Sequence, residues 1–161
     1  MRICLAMAAL LVALLIGLAV PIPAQASEDK SCLAEAMYHE ARNQGWVGML
    51  AVGVVIQNRV RSTRYPDDVC SVVRQGRYWA GHPVRNKCQF SYYCDGKTER
   101  PSEPKAWNRA MKIAELLLFT RVEVAGLEGA THYHSTSVQP SWATVLVKRE
   151  QIGEHIFYGR K

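Results

Sequence analysis

The sequence predicts an α+β domain that is mainly helical and carries a small β-hairpin or sheet. Apolar residues recur at helical spacing over residues 31–42 and 107–118, and the nearly all-apolar segment 46–62 is typical of a buried helix. Residues 129–161 are typical of short strands separated by turns. Helices and short strands in separate parts of one chain favour the α+β class over an alternating α/β fold.

Residues 1–26 have the pattern of a secretory signal peptide. Arg2 precedes a long apolar run, a Pro21/Pro23 pair ends it, and Ala24 and Ala26 fit the small-residue cleavage pattern. We expect cleavage after Ala26, secretion to the periplasm or cell envelope, and no membrane span in the mature chain. An uncleaved anchor is the alternative, because the run approaches the ~18 residues that a span needs. Residues 27–161 then form a single domain.

The first two helices follow from periodicity and breakers. The first should begin near Ser31, a plausible N-cap, and end at Arg42 before the breaker at residues 43–45. The second, over 46–62, is apolar almost all round and should lie in the middle of the domain. Its two glycines make most sense where a neighbouring backbone packs close.

The rest of the chain alternates short elements with loops. We expect a short helix over 69–75 that starts at Pro66 and Asp67, and an amphipathic helix over 107–118. Alternation around Cys88 to Tyr93 predicts a small hairpin. The remainder of residues 76–104 should form surface loop that lines a groove.

The mature chain is modestly basic. The whole sequence has a net charge of +6, and loss of Arg2 with the signal peptide leaves +5. Such a balance outside the cytoplasm favours contact with an anionic polymer or surface. The basic residues are scattered singly, which argues against a nucleic-acid partner.

Four cysteines remain after Cys4 leaves with the signal peptide, an even number in an oxidising compartment. Three disulfide connectivities are possible, and we favour Cys88–Cys94 with Cys32–Cys70. A zinc site with four cysteine ligands is disfavoured, because the spacing contains no C-x-x-C pair.

Glu40 is a charged residue on the apolar side of the first predicted helix. With residues spaced about 100° apart, Leu33, Ala36, Met37 and Ala41 share one arc, and Glu40 falls in its middle. A carboxylate facing the core is costly unless it is paired, hydrogen-bonded or protonated. Glu40 is therefore a structural ion-pair partner, for example of Arg59, or a general acid with a raised pKa, or else the helical phase is wrong.

Several sequence blocks together resemble a known family. "CLAEAMYHEAR", "GMLAVGVVIQNRV", "YPDDVCSVV", "CQFSYYCDG", "GATHYH", "PSWA" and "IGEHIFY" occur in the order and rough spacing of SleB-like cell wall hydrolases, the group that includes spore cortex-lytic enzymes. The resemblance spans nearly all of residues 27–161. It implies a lysozyme-like domain that cleaves the glycan strand of peptidoglycan, with Glu40 of the E-A-R block as the catalytic acid.

The chain departs from the family pattern at two places. Asn43-Gln44 stands where the family usually has Gly-Glu, and Met49 occupies a position that is usually polar. Asn43 is able to adopt the left-handed conformation that a glycine would supply. The departure keeps open a non-catalytic wall-binding module.

The number of carboxylates bears on the reaction. Glycoside hydrolysis commonly uses two, and only Asp67, Asp68 and Asp95 are plausible partners for Glu40. A lytic transglycosylase needs one, because the 6-hydroxyl of the muramic acid itself attacks the anomeric carbon. We therefore expect a lytic transglycosylase that acts as a monomer and needs no cofactor or metal.

The expected substrate-binding residues are aromatic or polar. Tyr92, Tyr133 and Trp142 are candidate sugar-stacking platforms, Asn58 and Gln89 candidate hydrogen-bonding groups, and His132 and His134 alternate along a strand and so face one side. His155 as a third ligand would make a zinc site, and a zinc-dependent peptidoglycan amidase is the alternative enzyme. We favour histidines that contact sugar, because no H-E-x-x-H or other tight ligand motif accompanies them.

Overall fold

The computed structural model describes residues 24–161. Its helices and strands, in chain order, are α1 (Ala24–Ala41), α2 (Gly45–Val60), α3 (Val69–Val73), β1 (Gly76–Trp79), β2 (His82–Cys88), α4 (Pro104–Phe119), β3 (Ala130–Ser135), β4 (Val147–Ile152) and β5 (His155–Gly159). This confirms a mainly helical α+β fold. Nearly all of the predicted signal peptide lies outside the described residues, and none of the helices within them is long and apolar enough to cross a bilayer.

Helix α1 has the predicted phase but starts earlier than predicted. Leu33, Ala36, Met37 and Ala41 are all fully buried, so the apolar arc is the one that the periodicity gives. Ser31 is not an N-cap, because its hydroxyl donates to the Ser27 carbonyl one turn back at 3.1 Å. Such a bond to residue i−4 is typical of a serine inside a helix.

Helix α2 is the central element, and it packs against α1, α4 and β3. As predicted, it is buried on most sides. A Cβ at Gly53 would lie against Leu117 and 2.7 Å from the Met37 sulfur. The glycine therefore admits side chains from two neighbouring helices, not the close backbone that the sequence suggested.

The connection from α1 to α2 is a 3-10 turn, Arg42–Gln44. Its positive φ is at Gly45, at 69°, and not at Asn43 as expected. The Gln44 amide holds the turn between β4 and β5: its Nε2 donates to Glu154 Oε2 at 2.7 Å, and its Oε1 accepts from the Glu154 backbone N–H at 3.0 Å. Gln44 thus fixes the end of α1 against the sheet.

Asp68 is the N-cap of helix α3, and its carboxylate accepts from the Ser71 backbone N–H at 2.7 Å. The N-cap is therefore one residue later than expected, and the helix ends two residues short of the predicted 75. The Cys32–Cys70 disulfide, with a Cα–Cα distance of 5.3 Å, ties α3 to α1. The predicted Cys32–Cys70 disulfide is thereby confirmed.

The predicted hairpin at residues 88–93 is wrong. The hairpin formed by β1 and β2 precedes it, with Trp79 opposite His82. Ala80 and Gly81 turn the chain with φ of 48° and 82°, the left-handed pair that a tight hairpin requires. Residues 91–94 instead form a 3-10 turn closed by the predicted Cys88–Cys94 disulfide, because a six-residue covalent loop leaves no room for paired strands.

Strands β3, β5 and β4 form an antiparallel sheet in that spatial order, with β3 at one edge. Two hydrogen bonds from α2 hold the start of β3: Asn58 Nδ2 donates to the carbonyls of Leu127 and Ala130, both at 2.9 Å. Helix α4 completes the core through a buried face that includes Ala110, Ala114 and Leu117, as predicted.

The two disulfides should differ in their contributions to stability. In the chain-entropy model the 38-residue loop of Cys32–Cys70 is worth about 4 kcal/mol, and the six-residue loop of Cys88–Cys94 about 2 kcal/mol. Thermal melting of paired Cys→Ser variants, with and without reductant, tests this order of contributions. We expect C32S/C70S to lose more in Tm than C88S/C94S, and equal losses would contradict the ordering.

Candidate active site

Glu40 lies at the wall of a cleft of about 370 Å³, a size in the range of small-ligand sites. The C-terminal end of α1, residues 89–91, strand β3 and the turn that carries Trp142 form its walls. Five of the predicted binding residues line it with Glu40, namely Gln89, His132, Tyr133, His134 and Trp142.

Glu40 is held by one hydrogen bond among the described residues. The Tyr133 hydroxyl donates to Glu40 Oε2 at 3.1 Å, joining α1 to the edge strand β3. The other oxygen, Oε1, has no protein partner within residues 24–161. Glu40 lines the cleft, so its second carboxyl oxygen is not committed to another protein group there.

Burial sets the protonation behaviour of Glu40. Partial removal from water raises the pKa of its carboxyl, and the Tyr133 hydrogen bond and the charges of His39 and Arg59 offset only part of that rise. Burial also raises the pKa of the Tyr133 phenol well above its ordinary value. Tyr133 therefore remains a hydrogen-bond donor, and Glu40 holds its proton to a higher pH than an ordinary glutamate.

The ion-pair explanation of Glu40 does not hold. Among residues 24–161 no salt bridge to Glu40 forms. Arg59 also lines the cleft, but its Nε donates to the Thr131 carbonyl at 2.8 Å, and its guanidinium lies over the rings of Tyr65 and Phe90. The helical phase is as predicted, so Glu40 is a partly buried carboxyl that is held by a hydrogen bond to Tyr133 and by no ion pair in this part of the chain.

Two buried nitrogens of cleft residues have no hydrogen-bond partner in the described part of the chain. They are Nη1 of Arg59, a residue only 5% exposed, and Nδ1 of His155, a residue 9% exposed. Buried polar atoms without a partner are uncommon in native proteins. Arg59 and His155 both line the cleft, so unused hydrogen-bonding capacity lies in its wall.

Aromatic rings cover one side of the cleft. Trp142 packs against the His132 and His134 rings, with centroid distances of 5.3 Å and 5.5 Å. Both histidines thus face the same side of β3, as predicted. Tilted aromatic groups of this kind offer apolar surface beside hydrogen-bonding edges, which suits a sugar ring.

Two of the predicted binding residues lie outside the cleft. The Asn58 side-chain amide donates to two backbone carbonyls at the start of β3, so it is not directed into the cleft. Tyr92 is buried, and its ring stacks on His39 at 4.5 Å. The 3-10 turn at residues 91–94 directs Tyr92 inward, so its ring is not an open stacking platform.

The three histidines do not form a shared metal site. His155 pairs across the sheet with Ser135, so it lies on the face of Tyr133, opposite to His132 and His134. His134 uses both ring nitrogens: Nδ1 donates to the Ser135 carbonyl at 2.9 Å, and Nε2 contacts the Tyr158 hydroxyl at 3.0 Å. In the described residues the one compact group of candidate ligands is Glu28 with Cys32 and Cys70, whose sulfurs are in the disulfide.

Glu40 is the only carboxylate among the described residues that line the cleft. Asp68 caps α3, and Asp67 is exposed. The Asp95 carboxylate accepts from the Lys97 backbone N–H at 2.7 Å in a turn. None of the three proposed partner carboxylates lies beside Glu40.

Sequence reasoning missed the place of Arg59 and His155 in the cleft. Arg59 was considered only as a counter-ion, yet it is a charged residue near the end of an almost wholly apolar helix, which is the same signal that singled out Glu40. Phe90 and Ser91 also line the cleft. No local pattern marks them, because their position depends on the loop that the disulfide closes.

A model of the cell wall hydrolase family matches residues 43–158. The chain belongs to this family. The match begins three residues after Glu40, so it covers β3 and most of the cleft but not the glutamate. The curated cell wall hydrolase relatives include the spore cortex-lytic enzymes of Halalkalibacterium halodurans, 31% identical over 84% of this chain, and of Oceanobacillus iheyensis, 29% identical over 80%.

The chain spans 36% and 41% of the lengths of these two relatives. Two solved structures share the cell wall hydrolase fold with it. The catalytic domain of the germination-specific lytic transglycosylase SleB from Bacillus anthracis matches with a TM-score of 0.59 over 81% of this chain and 93% of that one. The SleB catalytic domain of Bacillus cereus matches with a TM-score of 0.60 over 82% and 90%. Both are 24% identical to this chain, and they confirm the fold that the sequence resemblance implied.

Replacing Glu40 by glutamine should change stability in a pH-dependent way. The pKa of Glu40 is raised in the folded state, so its stabilising contribution is complete below the unfolded pKa and is lost as pH rises through the folded pKa. Glu40→Gln removes the titrating group at nearly constant shape. We expect the variant to match wild type in Tm near pH 4 and to exceed it near pH 8.

Glu128→Gln is the matched control, because Glu128 is exposed. Its Tm should follow wild type at both pH values. A Glu40→Gln protein that is less stable than wild type at pH 8 would show that the carboxylate is a structural partner.

Proposed function

We propose that this chain cleaves the glycan strand of peptidoglycan as a lytic transglycosylase, with Glu40 as both acid and base. The observation that carries the proposal is a lone carboxylate with a raised pKa in a polar, aromatic-walled cleft. Membership of the cell wall hydrolase family supports the substrate class. The titles of the relatives, a cortex-lytic enzyme and a lytic transglycosylase, support the reaction.

The first step is protonation of the leaving group. Glu40 Oε1 donates its proton to the glycosidic oxygen between the muramic acid C1 and the next sugar, and the C1–O bond breaks as the oxygen becomes a hydroxyl. Positive charge develops on the sugar ring while Glu40 becomes a carboxylate. The Tyr133 hydrogen bond and the nearby charge of Arg59 stabilise that carboxylate at the moment it forms.

The second step closes the new ring. The 6-hydroxyl of the same muramic acid attacks C1, and the Glu40 carboxylate accepts the hydroxyl proton. The products are a 1,6-anhydro end and a free hydroxyl on the other fragment, no water is consumed, and Glu40 regains its proton. A single carboxylate suffices because it acts first as acid and then as base.

Groups around Glu40 are suited to hold the sugar. Arg59 and His155 each carry a nitrogen without a partner among residues 24–161, which a small side-chain movement brings to a sugar oxygen. Trp142 offers a ring face. Gln89 adds an exposed amide at the cleft wall. We propose that His132, Tyr133 and His134 complete the wall, with Tyr133 as the positioning residue of Glu40.

The place of action follows from the substrate. Peptidoglycan lies outside the cytoplasm, and the predicted signal peptide agrees with export. The protein should act as a monomer with peptidoglycan as its partner, without nucleic acid and without a metal or other cofactor. The zinc amidase is less well supported, because His155 lies on the other sheet face from His132 and His134.

The wall-binding alternative is also weakened. It depended on Asn43-Gln44, and Gln44 has a structural role here through its two bonds to Glu154. The departure from the family pattern therefore preserves the connection behind α1 and leaves Glu40 in the cleft.

Loss of the acid should abolish turnover without abolishing binding. Glu40→Gln should lower the release of 1,6-anhydro muropeptides from purified sacculi by about 100-fold or more, the usual scale of general acid catalysis, while the protein still sediments with the sacculi. Glu128→Gln should retain wild-type activity. Mass spectrometry of the released fragments provides the measurement.

Two outcomes would contradict the proposal. Normal turnover by Glu40→Gln would remove Glu40 from the chemistry. A wild-type digest with reducing ends and no anhydro ends would convert the reaction to hydrolysis.

A further inference from the structure

A second cavity adjoins the Glu40 cleft. It has a volume of about 620 Å³ and lies between the end of α3 and the β1–β2 hairpin. Gln89 lines both this cavity and the cleft. The two cavities are therefore neighbours that share one wall residue, whose side chain is exposed.

The wall between the two cavities is firmly built. The Gln89 backbone N–H donates to the Gln75 carbonyl at 2.8 Å, and the adjacent Cys88 is in a disulfide with Cys94. Gly76 allows the strands to approach closely, since a Cβ there would lie 3.0 Å from the Cys88 Cα and Sγ atoms. The cavity is therefore a fixed feature of the fold.

The second cavity carries positive charge. Arg74 and Lys87 line it, and no carboxylate does among the described residues. Lys87 makes no ion pair within residues 24–161, and Arg74 pairs with Glu28 at 3.0 Å, with both side chains about half exposed. Because exposed pairs contribute little, Arg74 can exchange Glu28 for an incoming carboxylate.

Gln75 lines the cavity, and its side chain carries an unused hydrogen-bond acceptor next to it. Gln75 Oε1 is buried and has no partner in the described part of the chain. An acceptor oxygen needs an N–H or O–H donor from a ligand. Two cationic groups beside an amide acceptor match a ligand that combines carboxylates with amide N–H groups.

We propose that this basic subsite, formed by Arg74, Gln75, Lys87 and Gln89, binds the anionic peptide stem of a glycan strand held in the Glu40 cleft. Arg74 and Lys87 bind stem carboxylates, and a rotation of the half-buried Gln75 side chain brings its Oε1 to a stem amide hydrogen. The inference rests on the proposed function, because it takes the ligand in the cleft to be a peptidoglycan strand. A phosphate-rich wall polymer is the rival occupant, but its phosphodiester links offer anions without amide donors.

The test compares strands that carry stems with strands from which an amidase has removed them. The Arg74→Gln/Lys87→Gln double variant should raise KM for stem-bearing strands about tenfold, change kcat less than twofold, and leave both constants unchanged on stripped strands. Arg64→Gln/Lys112→Gln is the control, because it removes the same charge from exposed positions outside both cavities. It should behave as wild type on both substrates.

Binding separates this inference from the proposed reaction. In an otherwise inert Glu40→Gln background, stem-bearing strands should bind about tenfold more tightly than stripped strands, and the double variant should abolish that difference. If the wild type cleaves neither strand, the proposed function fails, and this binding comparison still decides whether the subsite recognises stems.

Three results would overturn the inference. The first is an equal loss of affinity for stem-bearing and stripped strands in the double variant, and the second is no loss for either strand. The third is competition against stem-bearing strands by a polyglycerol phosphate probe without competition by a soluble stem peptide. The last result would assign the cavity to the phosphate polymer instead.

Discussion

The hydrogen bond from Tyr133 to Glu40 is the contact on which the cleft depends. It joins residues 93 positions apart in sequence, one near the end of α1 and one on the edge strand β3. Helix α2 makes the contact possible, because it packs against both elements and its polar end binds the backbone of β3. Asn58 holds the carbonyls of Leu127 and Ala130, and Arg59 holds that of Thr131. Tyr133 follows two residues later and so meets the carboxyl.

The hydrogen-bond partner of the Glu40 carboxyl influences its pKa. A salt bridge would have stabilised the carboxylate and lowered its pKa, which suits a structural residue and not an acid. A neutral phenol donor such as Tyr133 orients the carboxyl and lowers its pKa less than a salt bridge would. Arg59 remains close enough to influence Glu40 but is engaged by a backbone carbonyl and two aromatic rings. Burial therefore raises the pKa of Glu40, while the Tyr133 hydrogen bond and the charge of Arg59 favour its ionised form.

The sequence predicted those features that depend on local periodicity or on counting. The helical phase placed Glu40 correctly, because an apolar arc on one helix is a local property. The even cysteine count predicted two disulfides, the short spacing favoured Cys88–Cys94, and Cys32–Cys70 was the favoured remaining pair. Tyr133 and Trp142 were predicted as cleft residues because they are aromatic residues of predicted loops, and both line the cleft.

The remaining features depend on contacts between distant segments. Tyr92 points inward because the disulfide-closed loop forms a 3-10 turn, and the aromatic spacing alone resembles a strand. Asn58 has the same polar side chain whether it faces a ligand or two carbonyls, so its role appears only when the start of β3 is placed. His155 lies opposite Ser135 because of the register between β3 and β5, and the sequence alone does not give that register.

The central claim is that Glu40 is a hydrogen-bonded, partly buried carboxyl whose pKa is raised above that of an ordinary glutamate. A titration of the Glu40 side-chain carbon by ¹³C NMR, assigned by comparison with Glu40→Gln, measures this directly. The account predicts a pKa above 4.5 in the wild type and a still higher value in Tyr133→Phe, because the hydrogen bond from Tyr133 favours the ionised form. A wild-type pKa at or below 4.5 would contradict the account.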